Sequence, residues 1–387
     1  MPAHHRRSRW GLAIVAAFAV AACSDTTGPQ AHLSDAQGLS TDLQAVNGVL
    51  QSSTFQSFSA LSFASGSPVG APTRAGGLLR AAPIVPPRSV AAPYLNGGTQ
   101  LQALQRMATT FKSGISASVV PPALLGKTFT WDVTTHAYVE NAAYTPAAPS
   151  DRMRIILYAL DPNTHDIDES PLTPVGYVDL IEESTTSPAV DKLHVIVTGG
   201  SPAAPGTEYL NYTVSAQVTG DPITAFTASA SGSVTDGTNT LTFSATYAVT
   251  HVDTDNPDVA VDVTWELSNP AIHVELHETL TLSDADHLTL TITEFSIKRG
   301  TETVSMHGTI TSVLSTSAFS INLVIEVNGV PWVRFTGTDA GIAIRHADGS
   351  QLSAEEGQAF LGLFTLWGSS DFAMLSLFGP PGSLMGA

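Results

Sequence analysis

The sequence predicts a mainly β protein: a large antiparallel meander, curled or barrel-like, with helices from both ends of the chain packed on its apolar face. Three observations carry that expectation. The first is strict alternation, as in Leu241, Phe243, Ala245, Tyr247 and Val249 with Thr242, Ser244 and Thr246 between them. Successive side chains on a strand point to opposite faces, so such a run has one wet and one dry face. The second is recurrence: Leu288, Leu290 and Ile292 repeat the pattern, as do Phe319, Ile321, Leu323, Ile325 and Val327, with turn signals at Asp236-Gly237, Arg299-Gly300 and Asn328-Gly329 between the runs. Several half-buried strands joined by short turns make an antiparallel meander. The third is a C-terminal stretch too apolar for water, which the dry face can accommodate.

Residues 1–22 have a basic start with Arg6, Arg7 and Arg9, then an apolar run from Trp10 to Ala22 that is short for a membrane span and flanked like a secretory leader. Val20-Ala21-Ala22-Cys23 ends it, and Cys23 is the only cysteine in the chain. This end resembles the lipobox of bacterial lipoproteins. The resemblance covers about the first thirty residues and implies cleavage before Cys23, which becomes the acylated first residue and ties the chain to a membrane. Ser24 stands where an aspartate would signal inner-membrane retention in that family, so the resemblance implies the outer membrane of the cell envelope.

Residues 23–33 then form the lipidated tether, with Gly28 and Pro29 in it. Residues 34–125 read as a helical and Pro/Gly-rich cover. Leu39, Leu43, Val46 and Leu50 recur at helical spacing over Ser34 to Leu50, with a continuation towards Leu61, and a second helix is expected over Thr99 to Phe111. Between them, Ala64 to Gly98 is rich in Gly and Pro and reads as a linker or irregular cover rather than a packed element. The β domain is expected over 126–350. Its early strands fall at Lys127 to Val133, Arg154 to Leu160 (apolar enough for burial on both faces), Gly176 to Ile181, Lys192 to Thr198, Tyr209 to Val218 and Ile223 to Val234. Asn328-Gly329 between Val327 and Val330 is the signature of a two-residue hairpin. Residues 351–387 form the apolar helical end, opened by a capping box of Ser353 and Glu356 with Leu352 as a staple.

Charge excludes one class of partner. The chain holds 16 Lys and Arg against 34 Asp and Glu. Without the three leader arginines the balance is 13 to 34, a net of −21, and Lys192 is the single base between Ile155 and Ile297. Such a surface repels phosphate backbones, so nucleic acid is not an expected partner, while divalent cations and basic partners are compatible with it.

Candidate chemistry is sparse. On the strand after Asn269-Pro270, His273, Glu275 and His277 share a face, and Asp262, Thr264 and Glu266 are the polar positions of the preceding strand. Two imidazoles and a carboxylate can hold zinc or a similar divalent cation, although alternate strand positions lie about 7 Å apart. The competing account is a set of solvated cross-strand pairs with no function. Two acidic loops, Asp253, Asp255 and Asp258 and then Asp161, Asn163, Asp166, Asp168 and Glu169, offer calcium-type oxygen ligands without the EF-hand pattern. There is no Gly-x-Ser-x-Gly, no His-Glu-x-x-His and no phosphate-binding glycine loop. The expectation is therefore a non-catalytic envelope module with no resident cofactor. One form of it holds an apolar small molecule or lipid against Phe364, Trp367 and Leu377; the alternatives are a surface scaffold or adhesion protein using the Thr/Ser face and, less readily, a hydrolase. A void around those three side chains favours carriage, and a filled interface favours the scaffold.

Overall fold

The computed structural model describes residues 31–49, 57–59, 61–63, 72–74 and 119–385, apart from 162, 163, 165, 187, 188, 221, 222, 253, 255, 285 and 317. Cys23 and the expected helix over 99–111 lie outside the described residues. Helix α1 runs Ala36–Val49, within the expected span. Two short strands follow, β1 (Leu61–Phe63) and β2 (Pro72–Arg74), paired antiparallel. Residues 72–74 are thus a paired strand where the composition suggested only irregular chain; Pro72 sits at the strand start, where its missing N–H is tolerated.

The main sheet has 16 strands. Its first members are β3 (Thr128–Asp132), β4 (Ala137–Glu140), β5 (Arg152–Tyr158), β6 (Pro174–Glu182), β7 (Thr185–Thr186) and β8 (Ala189–Ser201). Then come β9 (Ala204–Thr219), β10 (Ala225–Thr235), β11 (Thr240–Thr250), β12 (Asp258–Leu267) and β13 (Ile272–Leu282). The last are β14 (His287–Arg299), β15 (Glu302–Val313), β16 (Ala318–Val327), β17 (Val330–Thr338) and β18 (Gly341–His346). From β8 to β18 each strand pairs with its neighbour in the chain, always antiparallel; among the described residues β3 and β5 form the one parallel pair. The sheet is a meander that does not close, with β18 at one end and β4 at the other. A barrel is therefore not formed.

Alternation sets the core. Leu241, Phe243, Ala245, Tyr247 and Val249 are all buried, as are Leu288, Leu290 and Ile292, and Ile321, Leu323, Ile325 and Val327. Phe319, at the head of its run, is half-buried. In β14 the register shifts, Thr293 and Glu294 both face water, and Phe295 and Ile297 resume the dry face on odd numbers. An extra residue in one strand changes its parity, which is how a bulge keeps the apolar set inward. The β16–β17 turn is the expected two-residue one: Val327 pairs with Val330, and Asn328 and Gly329 both have positive φ, as a type I′ hairpin requires.

Helix α2 (Ala354–Met385) lies across the dry face. Ser353 and Glu356 form the capping box in both directions: the Glu356 N–H donates to the Ser353 hydroxyl at 3.2 Å, and the Ser353 N–H to the Glu356 carboxylate at 2.9 Å. The helix then crosses the strands obliquely. Phe360 and Phe364 meet Phe335 of β17 with ring centroids 5.6 and 5.3 Å apart, Trp367 reaches Glu278 of β13, and Phe378 meets Tyr247 of β11 at 5.3 Å. Helix α1 packs chiefly on α2 rather than on the sheet, seated where Gly362 has no side chain: a Cβ there would lie 3.1 Å from Leu43 Cδ1. Arg299 of β14 pins α1 through Asp35 and Asp42, and Glu302 accepts the Ser34 N–H at 2.8 Å.

If α2 is part of the core rather than an appendage, Phe364→Ala should lower unfolding free energy by roughly 3–5 kcal/mol in urea titrations. Ser320→Ala on the wet face of β16 should stay within about 0.5 kcal/mol.

Candidate functional site

In the histidine hairpin polar positions of the two strands stand opposite polar ones. Glu266 stands opposite His273, Thr264 opposite Glu275 and Asp262 opposite His277, with a cis Asn269–Pro270 bond in the loop. Each imidazole has its own acid. His273 contacts Glu266 at 3.2 Å through Nδ1 and Glu275 at 3.1 Å through Nε2, and His277 Nδ1 lies 2.6 Å from Asp262. The side chains of His273, Glu275 and His277 are partly exposed and spread along the strand. Among the described residues no three or more His, Cys, Asp or Glu side chains are grouped to hold a metal. The geometry is that of solvated cross-strand pairs, and His273, Glu275 and His277 do not converge on a common point.

The acidic loops are likewise engaged locally. Asp161 accepts the Thr164 N–H, Asp168 the Ser170 N–H, and Glu169 the Trp131 indole N–H at 2.7 Å. Asp258 lies 3.1 Å from His251; Asp253, Asp255 and Asn163 lie outside the described residues.

Phe364, Trp367 and Leu377 come together with the sheet as the sequence suggested, and each is fully or nearly fully buried against protein. Phe364 touches the rings of Phe335, Phe360 and Trp367. The Trp367 indole N–H donates to Glu278 at 3.1 Å, and the Leu377 carbonyl accepts the Tyr212 hydroxyl at 2.7 Å. Around these three side chains the interface is filled by the chain's own groups. An open groove of about 340 Å³ lies instead between the two helices, floored by Leu43, Leu361 and Gly362 and rimmed by Gln44, Asn47 and Gln358.

Three buried polar features escaped the sequence reading. Glu278 occupies a dry-face position, between Leu276 and Leu280 in the alternation, and is 2% exposed. Its parity was the available signal, since a carboxylate on the apolar face needs a donor such as Trp367. Arg154 and Asp179, paired across β5 and β6, form a buried two-point ion pair at 2.6 and 2.7 Å, with the guanidinium 4.5 Å from the Tyr177 ring centroid. Each charge sits singly in an apolar run, and only the strand register brings them together. Asp191 of β8 is 2% exposed, and its Oδ1 has no hydrogen-bond partner among the described residues. Burial pushes its carboxyl up to about 7, and the charge of Glu182, itself held by the Val120 and Ser184 N–H groups, adds to the rise.

In the unfolded chain Asp191 titrates near its ordinary value of about 4. Between that pH and about 7 the folded chain therefore binds the extra proton, and stability falls as pH rises through that window. Chemical denaturation at pH 5 and pH 8 should show Asp191→Asn stabilising the chain more at pH 8 than at pH 5. Arg154→Met should cost roughly 3–5 kcal/mol by leaving the buried Asp179 carboxylate only its longer 3.4 Å contact with Arg152, and Arg154→Met with Asp179→Leu should recover most of that loss. The chain matches no protein-family model, no curated protein and no solved structure.

Proposed function

We propose that this chain is a non-catalytic module of the bacterial cell envelope, tied to the outer membrane through acylated Cys23, and that it works as a surface scaffold or adhesion protein. The observation that carries this reading is the division of labour between the two faces of the sheet. The dry face is occupied by α2, with Phe364, Trp367 and Leu377 sealed against the strands. The opposite face presents hydroxylic side chains in rows, such as Thr242, Ser244 and Thr264. A hydroxyl-rich surface on a broad sheet suits many modest hydrogen bonds to a polar polymer or protein, and its acidic balance disfavours nucleic acid. No described helix is long and apolar enough to cross a membrane. The lipobox resemblance supplies the attachment instead.

A second reading, carriage of an apolar molecule or lipid, rests on the groove between α1 and α2. Its volume of about 340 Å³ lies at the lower end of the range of small-molecule sites, and its floor is apolar with an amide rim.

Two measurements test these readings. Mass spectrometry of the membrane-extracted chain should find an acylated Cys23 at its start, and Cys23→Ala should move the protein from the membrane fraction to the soluble one; an unmodified Cys23 overturns the anchor. Titration of a fluorescent fatty acid into the chain should give no saturable signal under the scaffold reading. Saturable uptake that Gly362→Leu removes would replace it with the carrier.

A further inference from the structure

Strand β18 ends the sheet, and its outer side has no strand beside it among the described residues. At the opposite end β4 has β2 next to it. The orientation of the backbone groups of β18 follows from its ladder. The Ala347 N–H donates to the Trp332 carbonyl at 2.9 Å, and Val333 stands opposite His346. Hydrogen-bonded and non-hydrogen-bonded pairs alternate in an antiparallel ladder. Gly341, Ala343 and Arg345 therefore turn their backbone groups towards β17, while Ile342, Ile344 and His346 turn theirs outward. The His346 N–H is taken by the Ser350 carbonyl at 3.0 Å, so the chain itself caps the edge there.

What remains bare is Gly341 to Arg345, a stretch centred on Ala343 with an outward-facing isoleucine on either side. Ile342 is one of the large apolar side chains exposed by the fold, at 40%. Both isoleucines lie on the dry-face side, because Ile344 pairs with buried Phe335. Sheet edges are normally blunted by proline, charged side chains or an inward charge, and in Gly341 to Arg345 the one such residue is Arg345 at its end.

We propose that β18 is a self-association edge, on which a second copy of this chain adds its own β18 antiparallel across a two-fold axis at Ala343. That register sets Ile342 against Ile344 of the other copy in both directions, so all the outward N–H and C=O groups of the bare stretch find partners. The isoleucines extend the two apolar faces into one. No like charges stand opposite each other in that register. A parallel arrangement would set Arg345 beside Arg345 instead, which is why the second copy is placed antiparallel. The strands are short and both chains are acidic, so association is of the weak class and strengthens as salt screens the overall repulsion.

The test uses the full chain carrying Cys23→Ala. Sedimentation should show a reversible dimer over roughly 1–200 µM, and Ile344→Pro should abolish it with the melting temperature little changed, since that N–H points away from β17. Should the proline disturb folding, Ile342→Lys gives the same readout. In the same background Ala343→Cys should form a disulfide dimer on mild oxidation, because non-hydrogen-bonded partners sit about 4.5 Å apart, within disulfide reach. Gly341→Cys should not, since its counterpart lies several residues along the strand. A chain that stays monomeric throughout, a dimer that survives both edge variants, or equal linking by the two cysteines overturns the proposal.

Discussion

A sheet that is apolar on one face only must have that face covered, and in this chain nearly every other feature follows from how the covering is done. Period-two alternation from β9 to β17 creates a single dry surface running across neighbouring strands. Strands cannot shield a surface of which they are the floor, so the shield has to run across them. Helix α2 does so obliquely, meeting β17 near its start, β13 at Trp367 and both β9 and β11 near its end. Helix α1 packs on α2 and buries Leu39, Leu43, Val46 and Val49, while Arg299 and Glu302 of the sheet hold its N-terminal end.

Polar groups inside the covered layer serve alignment. Helix α2 is apolar on most sides through Phe360 to Phe378, so burial alone sets its rotation weakly. The Trp367 to Glu278 contact and the Tyr212 to Leu377 carbonyl contact pick one rotation, since any other leaves buried donors and acceptors without partners. Arg154 and Asp179 act in the same sense at the β5–β6 end of the sheet: a one-residue slip there would separate two buried charges.

Much of this architecture was legible in the sequence because it depends on local periodicity. The strand runs, the Asn328-Gly329 turn and the Ser353–Glu356 cap each involve residues close in the chain, and each reads out from spacing alone. The facing of His273 and His277 by Glu266 and Asp262 was legible for the same reason, a hairpin being a local object. What spacing does not carry is convergence between distant strands. It could not tell that Arg154 meets Asp179, or that β14 would change parity at Thr293 and Glu294. The closing of the sheet was also open, because curvature depends on many small twists that no single residue reports. Glu278 is the exception: its position in the alternation marked it as inward, and a buried carboxylate there required a donor from the covering layer.

The position of α2 in the chain has a consequence for biogenesis. It follows all eighteen strands, so the meander can zip together hairpin by hairpin while its oily surface still has no roof. During that interval the nascent protein carries a broad sticky plane into a crowded compartment, and a holding chaperone that keeps such planes apart until the tail arrives would set the yield of folded molecules.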